Sequence, residues 1–142
     1  MRKRTRAREL ALQILYQMDI RQGDVNEILA DFWAHNEVPK DVHDFSEKLA
    51  QGVLTHQKLI DKIIRDYAEN WSLNRMAVID RNIIRMAAFE LLYMDDIPPK
   101  VSINEAVDLA KKFGDEQSGS FVNGILDKIF TAEVKGAKQR GG

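Results

Sequence analysis

Phe121 is the side chain most suggestive of recognition chemistry in this sequence. It follows Ser118-Gly119-Ser120 at the entrance to an amphipathic segment whose apolar stripe is Val122, Ile125, Leu126 and Ile129. At about 100° per residue, Phe121 lies roughly a quarter turn from the centre of that stripe. Free N–H groups at a helix start attract anions. An aromatic ring beside them is a place for an unpaired nucleic-acid base to stack. Gln117, Ser118 and Ser120 are its polar neighbours. The alternative is that Phe121 packs against a neighbouring helix, since large apolar side chains are usually buried.

The N-terminus is the other candidate. Arg2, Lys3, Arg4, Arg6 and Arg8 give the first eight residues a charge of +5, whereas residues 9–132 sum to −8 in a chain of net charge −1. An acidic body with a basic arm points to an anionic partner for the arm, nucleic acid among them. A merely solvated arm is the alternative. Residues 133–142 carry +2, are small and polar, and are expected to form a disordered tail.

Catalysis finds little support. The chain has no cysteine, which removes disulfides, thiolate metal sites and cysteine nucleophiles. His35 falls in a loop, and His43 and His56 are too far apart to form the i, i+4 pair of a helix-borne metal site. No G-x-x-x-x-G-K-[ST] phosphate loop is present. The carboxylates are scattered among lysines and arginines, as on solvated helix faces. The balance favours a binding protein with no metal or cofactor.

The elements that position these residues are helices. Three prolines and eight glycines in 142 residues punctuate the chain sparsely. A first helix over about Arg4–Ile20 has Ala7, Leu10, Ala11, Ile14, Leu15 and Met18 as its stripe. Leu12 and Tyr16 lie away from that stripe, either as a contact surface for another protein or under another part of this chain. A short helix from Val25 to about Trp33 follows Gln22-Gly23-Asp24. Asp41 then caps a helix with Val42, Phe45, Leu49 and Val53 on one face. The pattern restarts near Thr55-His56, which predicts a bend, and Asn70-Trp71-Ser72 ends that segment. From Ala77 to Asp95 the sequence is apolar most of the way round, as in a central helix, with Asp80, Arg81 and Arg85 on the remaining polar side. Ser102 and Glu105 have the spacing of a capping box. Gly114 suits a left-handed helix stop. The count is about seven helices in an all-α chain, read as one domain over residues 1–132 with residues 1–8 as the arm. No stretch has the apolar length of a membrane span, and the cytoplasm is the expected compartment.

Three separated stretches give the chain a family resemblance. Arg6-Ala7-Arg8-Glu9-Leu10-Ala11-Leu12-Gln13-Ile14-Leu15-Tyr16 is similar to the opening motif of the NusB family of bacterial antitermination factors. Asp80-Arg81-Asn82-Ile83-Ile84-Arg85 with Glu90-Leu91 resembles its central helix. Pro99 to Val107, Lys112-Phe113-Gly114 and Phe121 to Asp127 resemble its C-terminal segment. The resemblance implies two small helical bundles and no catalytic activity. It implies binding to boxA RNA of nascent, mostly ribosomal, transcripts, and pairing with the small-subunit ribosomal protein NusE in the RNA polymerase antitermination complex. The RNA surface it implies is the arm with the Ser118–Phe121 region. The partner surface it implies is Tyr16, with Leu12 near it, and the side of the central helix bearing Asp80, Arg81 and Arg85. Whether the chain also forms a homodimer is left open by the sequence. Rival readings are the NusB-like domain of a ribosomal RNA methyltransferase, which the short stretch after Phe130 disfavours, and a protein-interaction bundle without RNA.

Overall fold

The apolar repeats become six α-helices in a computed structural model that describes residues 2–68 and 72–134. They are α1 (Lys3–Ile20), α2 (Val25–Ala34), α3 (Lys40–Tyr67), α4 (Val78–Tyr93), α5 (Pro99–Phe113) and α6 (Ser118–Ile129). A 3₁₀ turn at Leu73–Arg75 precedes α4, and a π-helical turn at Phe130–Val134 follows α6. No strand occurs among the described residues. The bend expected near Thr55-His56 is present: His56, at φ −107° and ψ 15°, leaves the helical region inside α3. Asn70, Trp71 and the basic tail from Lys135 lie outside the described residues.

By its contacts the chain divides into two compact units, Met1–Gly52 and Val53–Gly142. In the first, α1 supplies buried Ala7, Leu10, Ala11, Ile14 and Leu15, α2 supplies Ile28, Leu29 and Phe32, and the start of α3 supplies Val42 and Leu49. Asp24 caps α2 by accepting a hydrogen bond from the Asn26 N–H at 2.7 Å. Polar contacts fix the start of α3 against its neighbours. The buried Ser46 hydroxyl donates to the Ala7 carbonyl at 2.7 Å, and Trp33 Nε1 donates to Glu47 at 2.9 Å.

The second unit is built around α4, which is buried from Asn82 to Leu91 and packs against both α5 and α6. A helix enclosed on every side must satisfy its polar side chains internally. Arg85 does so with a two-bond clasp on Asp61 of α3, Nε to Oδ1 at 2.8 Å and Nη2 to Oδ2 at 3.0 Å. Glu90 accepts from the Ser102 hydroxyl at 2.9 Å, with both residues buried.

That last bond overturns the capping box. α5 starts three residues earlier, at Pro99, and its N-cap is Pro98. Proline at the first helical position has its φ preset and lacks only an N–H that would be unpaired anyway. Ser102 is therefore inside the helix and turns its hydroxyl to Glu90. Gly114 is also not left-handed: its φ is −91° and ψ −166°. Its reason is space, because a Cβ there would collide with the Ser118 side chain and lie 2.7 Å from the Ala110 carbonyl.

Removing one member of a buried ion pair strands the other. Arg85→Ala is expected to lower unfolding free energy by about 3–5 kcal/mol, measured by urea denaturation. A change within about 0.5 kcal/mol, the range of ordinary surface substitutions, would show that Asp61 has found water instead.

Candidate nucleic-acid interface

The basic arm is not a free tail. α1 starts at Lys3, so its cations project from the first turns of a helix. Lys3 pairs with Asp41 at 2.9 Å, and Arg6 lies 3.6 Å from Glu9. The Arg4 guanidinium sits over the Phe45 ring, 4.5 Å from its centroid, and Arg8 lies 5.5 Å from the same ring. Cation–π contacts of this kind contribute about 0.5–1 kcal/mol at exposed sites. Arg8 is only 2% exposed, which corrects its reading as an RNA-contacting cation: it packs beneath the surface that Arg2, Lys3 and Arg4 present. Phe45 departs from its stripe in the other sense. Val42, Leu49 and Val53 are buried, but Phe45 is only half-buried.

In the second unit, Phe121 is half-buried and lines a cleft of about 240 Å³ with Arg75, Met76, Ala77, Asp80, Asp115, Gln117 and Ser118. The cleft is organised by the loop before α6. The Asp115 carboxylate accepts from the Gln117 N–H at 2.9 Å and from the Ser118 hydroxyl at 3.2 Å. The Asp115 N–H donates to Ser118 Oγ at 3.0 Å. A carboxylate of the chain itself therefore occupies part of the helix start that the sequence offered to a phosphate. Ser118 is 1% exposed, so its hydroxyl is internal structure and not a ligand contact, a correction to its expected role. Gln117 and Ser120 are exposed.

Asp80 is the second acid of this cleft. Burial pushes its carboxyl above the ordinary value of 3.8, the Ser118 hydroxyl pulls it back, and the Asp115 charge adds to the rise. Oδ1 of Asp80 is buried and has no hydrogen-bond partner among the described residues. Two carboxylates and the Arg75 guanidinium line the cleft around the half-buried ring, so its wall carries both signs of charge.

The expected partner face fares unevenly. Asp80 and Arg85 are each 7% exposed and Leu12 is 3% exposed, which removes all three from the surface. Polar residues on a helix were assumed to face outward, but Asp61 of α3 receives Arg85 and packing buries Asp80. Arg81 is half-buried, with Nη1 donating to the Leu73 carbonyl at 3.2 Å. Tyr16 remains exposed, and Ile20, one turn further along α1, is more exposed still. Ile20 was not singled out from the sequence, although its i, i+4 spacing from Tyr16 was the available signal. Among the described residues no group of His, Asp or Glu is disposed to hold a metal ion, and no helix is long and apolar enough to cross a membrane.

The family model described as the NusB family matches residues 5–131. The chain belongs to the NusB family. It is 48% identical over 130 residues to the transcription antitermination protein NusB of Syntrophus aciditrophicus, covering 92% of this chain and 81% of that one. It is 50% identical over 128 residues to the NusB of Anaeromyxobacter dehalogenans, covering 89% of each. Among solved structures, NusB of T. maritima superposes with a TM-score of 0.87 at 38% identity, covering 96% of both chains. A NusB solved with NusE and double-stranded RNA superposes with a TM-score of 0.84 at 32% identity, covering 93% of this chain and 98% of that one. The all-α fold and the NusB resemblance are thus both established.

The raised Asp80 carboxyl has a pH consequence. Its folded-state pKa exceeds the unfolded value, so the native state holds the proton more tightly. Stability falls as pH rises from the ordinary carboxylate value through the folded one. Asp80→Asn is expected to remove that decline, read from urea midpoints between about pH 4 and pH 7. Parallel wild-type and variant profiles would contradict it.

Proposed function

We propose that this protein is a transcription antitermination factor. It binds boxA-type RNA of nascent ribosomal transcripts together with the ribosomal protein NusE, and acts with RNA polymerase in the cytoplasm without a catalytic step of its own. The observation that carries this is the match along nearly the whole chain to NusB proteins, one of them solved with NusE and RNA. The two surfaces support a division of labour. Arg2, Lys3, Arg4 and Arg6 neutralise phosphates, which contributes affinity without sequence information. Phe121, with Gln117 and Ser120 beside it, offers a ring and polar groups to unstacked bases.

The arm's role is read from salt. Changing Arg2, Lys3, Arg4 and Arg6 together to Gln is expected to weaken boxA RNA binding at least tenfold at low salt. The slope of log K against log salt should also flatten, by about 0.7 for each phosphate left without its cation. Unchanged affinity and slope would remove the arm from the RNA surface.

Tyr16 and Ile20 form the exposed apolar pair of α1, and we assign them to the protein partner. A tyrosine with an adjacent aliphatic has the amphipathic character that recurs at interface centres. Tyr16→Asp is expected to weaken NusE binding by at least tenfold in calorimetry and to leave thermal stability within about 2 °C of the wild type, as for other surface substitutions. Full NusE binding by the folded variant would return Tyr16 to the solvated surface.

A further inference from the structure

Phe45 and Lys48 stand one turn apart on the opening of α3, on the side that meets the first turn of α1. Together with Lys3, Arg4, Asp41, Val42 and Asp44 they line a cleft of about 540 Å³. Its two carboxylates are already matched. Asp41 pairs with Lys3 at 2.9 Å, and Asp44 pairs with Lys40 at 2.9 Å and with His43 at 3.1 Å. Arg4 and Lys48 have no carboxylate partner among the described residues. Arg4 is exposed and lies over the Phe45 ring, 4.5 Å from its centroid. The cleft therefore combines a surplus of positive charge with a guanidinium supported from behind by an aromatic ring.

We infer that this cleft is a nucleotide seat for single-stranded RNA, with Phe45 and Lys48 as two further RNA-binding residues. The inference rests on the RNA-binding reading above and extends it to residues outside the arm and the Phe121 cleft. A base stacks on the outer side of the Arg4 guanidinium, which Phe45 backs, and the adjoining phosphate takes the Lys48 ammonium. Stacking on arginine planes is a common way of holding unpaired bases. Fixing Arg4 on the ring before RNA arrives reduces the side-chain freedom that binding must remove. Lysine suits the phosphate role because it acts as a compact point charge on a flexible stem. An acidic protein segment is the competing occupant, but it would gain nothing from a ring-backed guanidinium that a freely mobile arginine could not supply.

The test uses the full chain with NusE and a fluorescent single-stranded boxA RNA, titrated across salt concentrations. Lys48→Gln is expected to weaken binding about three- to tenfold at low salt and to lower the salt slope by about 0.7, the value of one single-strand phosphate contact. Phe45→Leu is expected to weaken binding at moderate salt without changing the slope. Arg4→Gln should then cost less in the Phe45→Leu background than in the wild type, because the two act as one unit. Thermal melts identify any loss of fold in Phe45→Leu. Lys48→Gln, at an exposed position, carries the test if the Phe45→Leu variant unfolds. If the wild type binds boxA RNA while Lys48→Gln matches it in affinity and slope, the seat is overturned alone. If the wild type fails to prefer boxA over a scrambled RNA, the antitermination reading falls, and the seat with it. Weakened NusE binding with intact RNA binding in Lys48→Gln would overturn the seat by assigning the cleft to protein.

Discussion

Two hydrogen bonds between Asp115 and Ser118 close the loop before α6, and the Phe121 cleft is built on that loop. The Ser118 hydroxyl donates to the Asp115 carboxylate at 3.2 Å and accepts from the Asp115 N–H at 3.0 Å. One buried serine thus fixes the loop and the helix start beside the ring. Gly114 is required by the same arrangement, since any Cβ there would strike the Ser118 side chain. Phe121, three residues later, inherits its position from this knot, its N–H bonded to the Gln117 carbonyl at 3.1 Å. Burying one carboxylate within reach of a second costs free energy, visible in the raised Asp80 carboxyl. The product is a cleft in which two carboxylates and the Arg75 guanidinium surround a half-buried ring.

That electrostatic character separates the chemistry of the two units. In the first unit the carboxylates near the arm are consumed by lysines, and Arg4 is left over an aromatic ring with Lys48 nearby. Positive charge there is available to a polyanion. In the second unit the ring of Phe121 is available beside two carboxylates and Arg75. A single-stranded RNA presents both phosphates and unstacked bases, and the proposed function assigns phosphates to the cations of the first unit and bases to the ring of the second.

The helices were legible in the sequence because apolar spacing is a strong signal over long segments. The bend at His56 was legible for the same reason, since the stripe slips out of register there. What periodicity could not show was where polar residues on a crowded helix go. Asp80 and Arg85 looked outward-facing on α4, but Asp61, which receives Arg85, and the loop beside Asp80 come from elements distant in sequence. The Ser102–Glu105 spacing suggested a cap, yet Pro99 started the helix first and freed Ser102 for Glu90. Phe45 was placed in the core by its stripe. Only the fold brings the arginines of α1 over its ring, and with them the cleft beside Lys48. Arg8 shows the converse: its place in a basic run suggested exposure, and packing buried it.

In the function proposed, RNA is held by the arm and by the Phe121 cleft. Amide chemical shifts of the full-length protein with NusE, recorded while single-stranded boxA RNA is added, test it most directly. Shifts are expected at the amides of residues 2–6 and 117–121, with the amides of the buried middle of α4 unmoved. Saturating RNA that leaves both segments unshifted while perturbing other surfaces would contradict it.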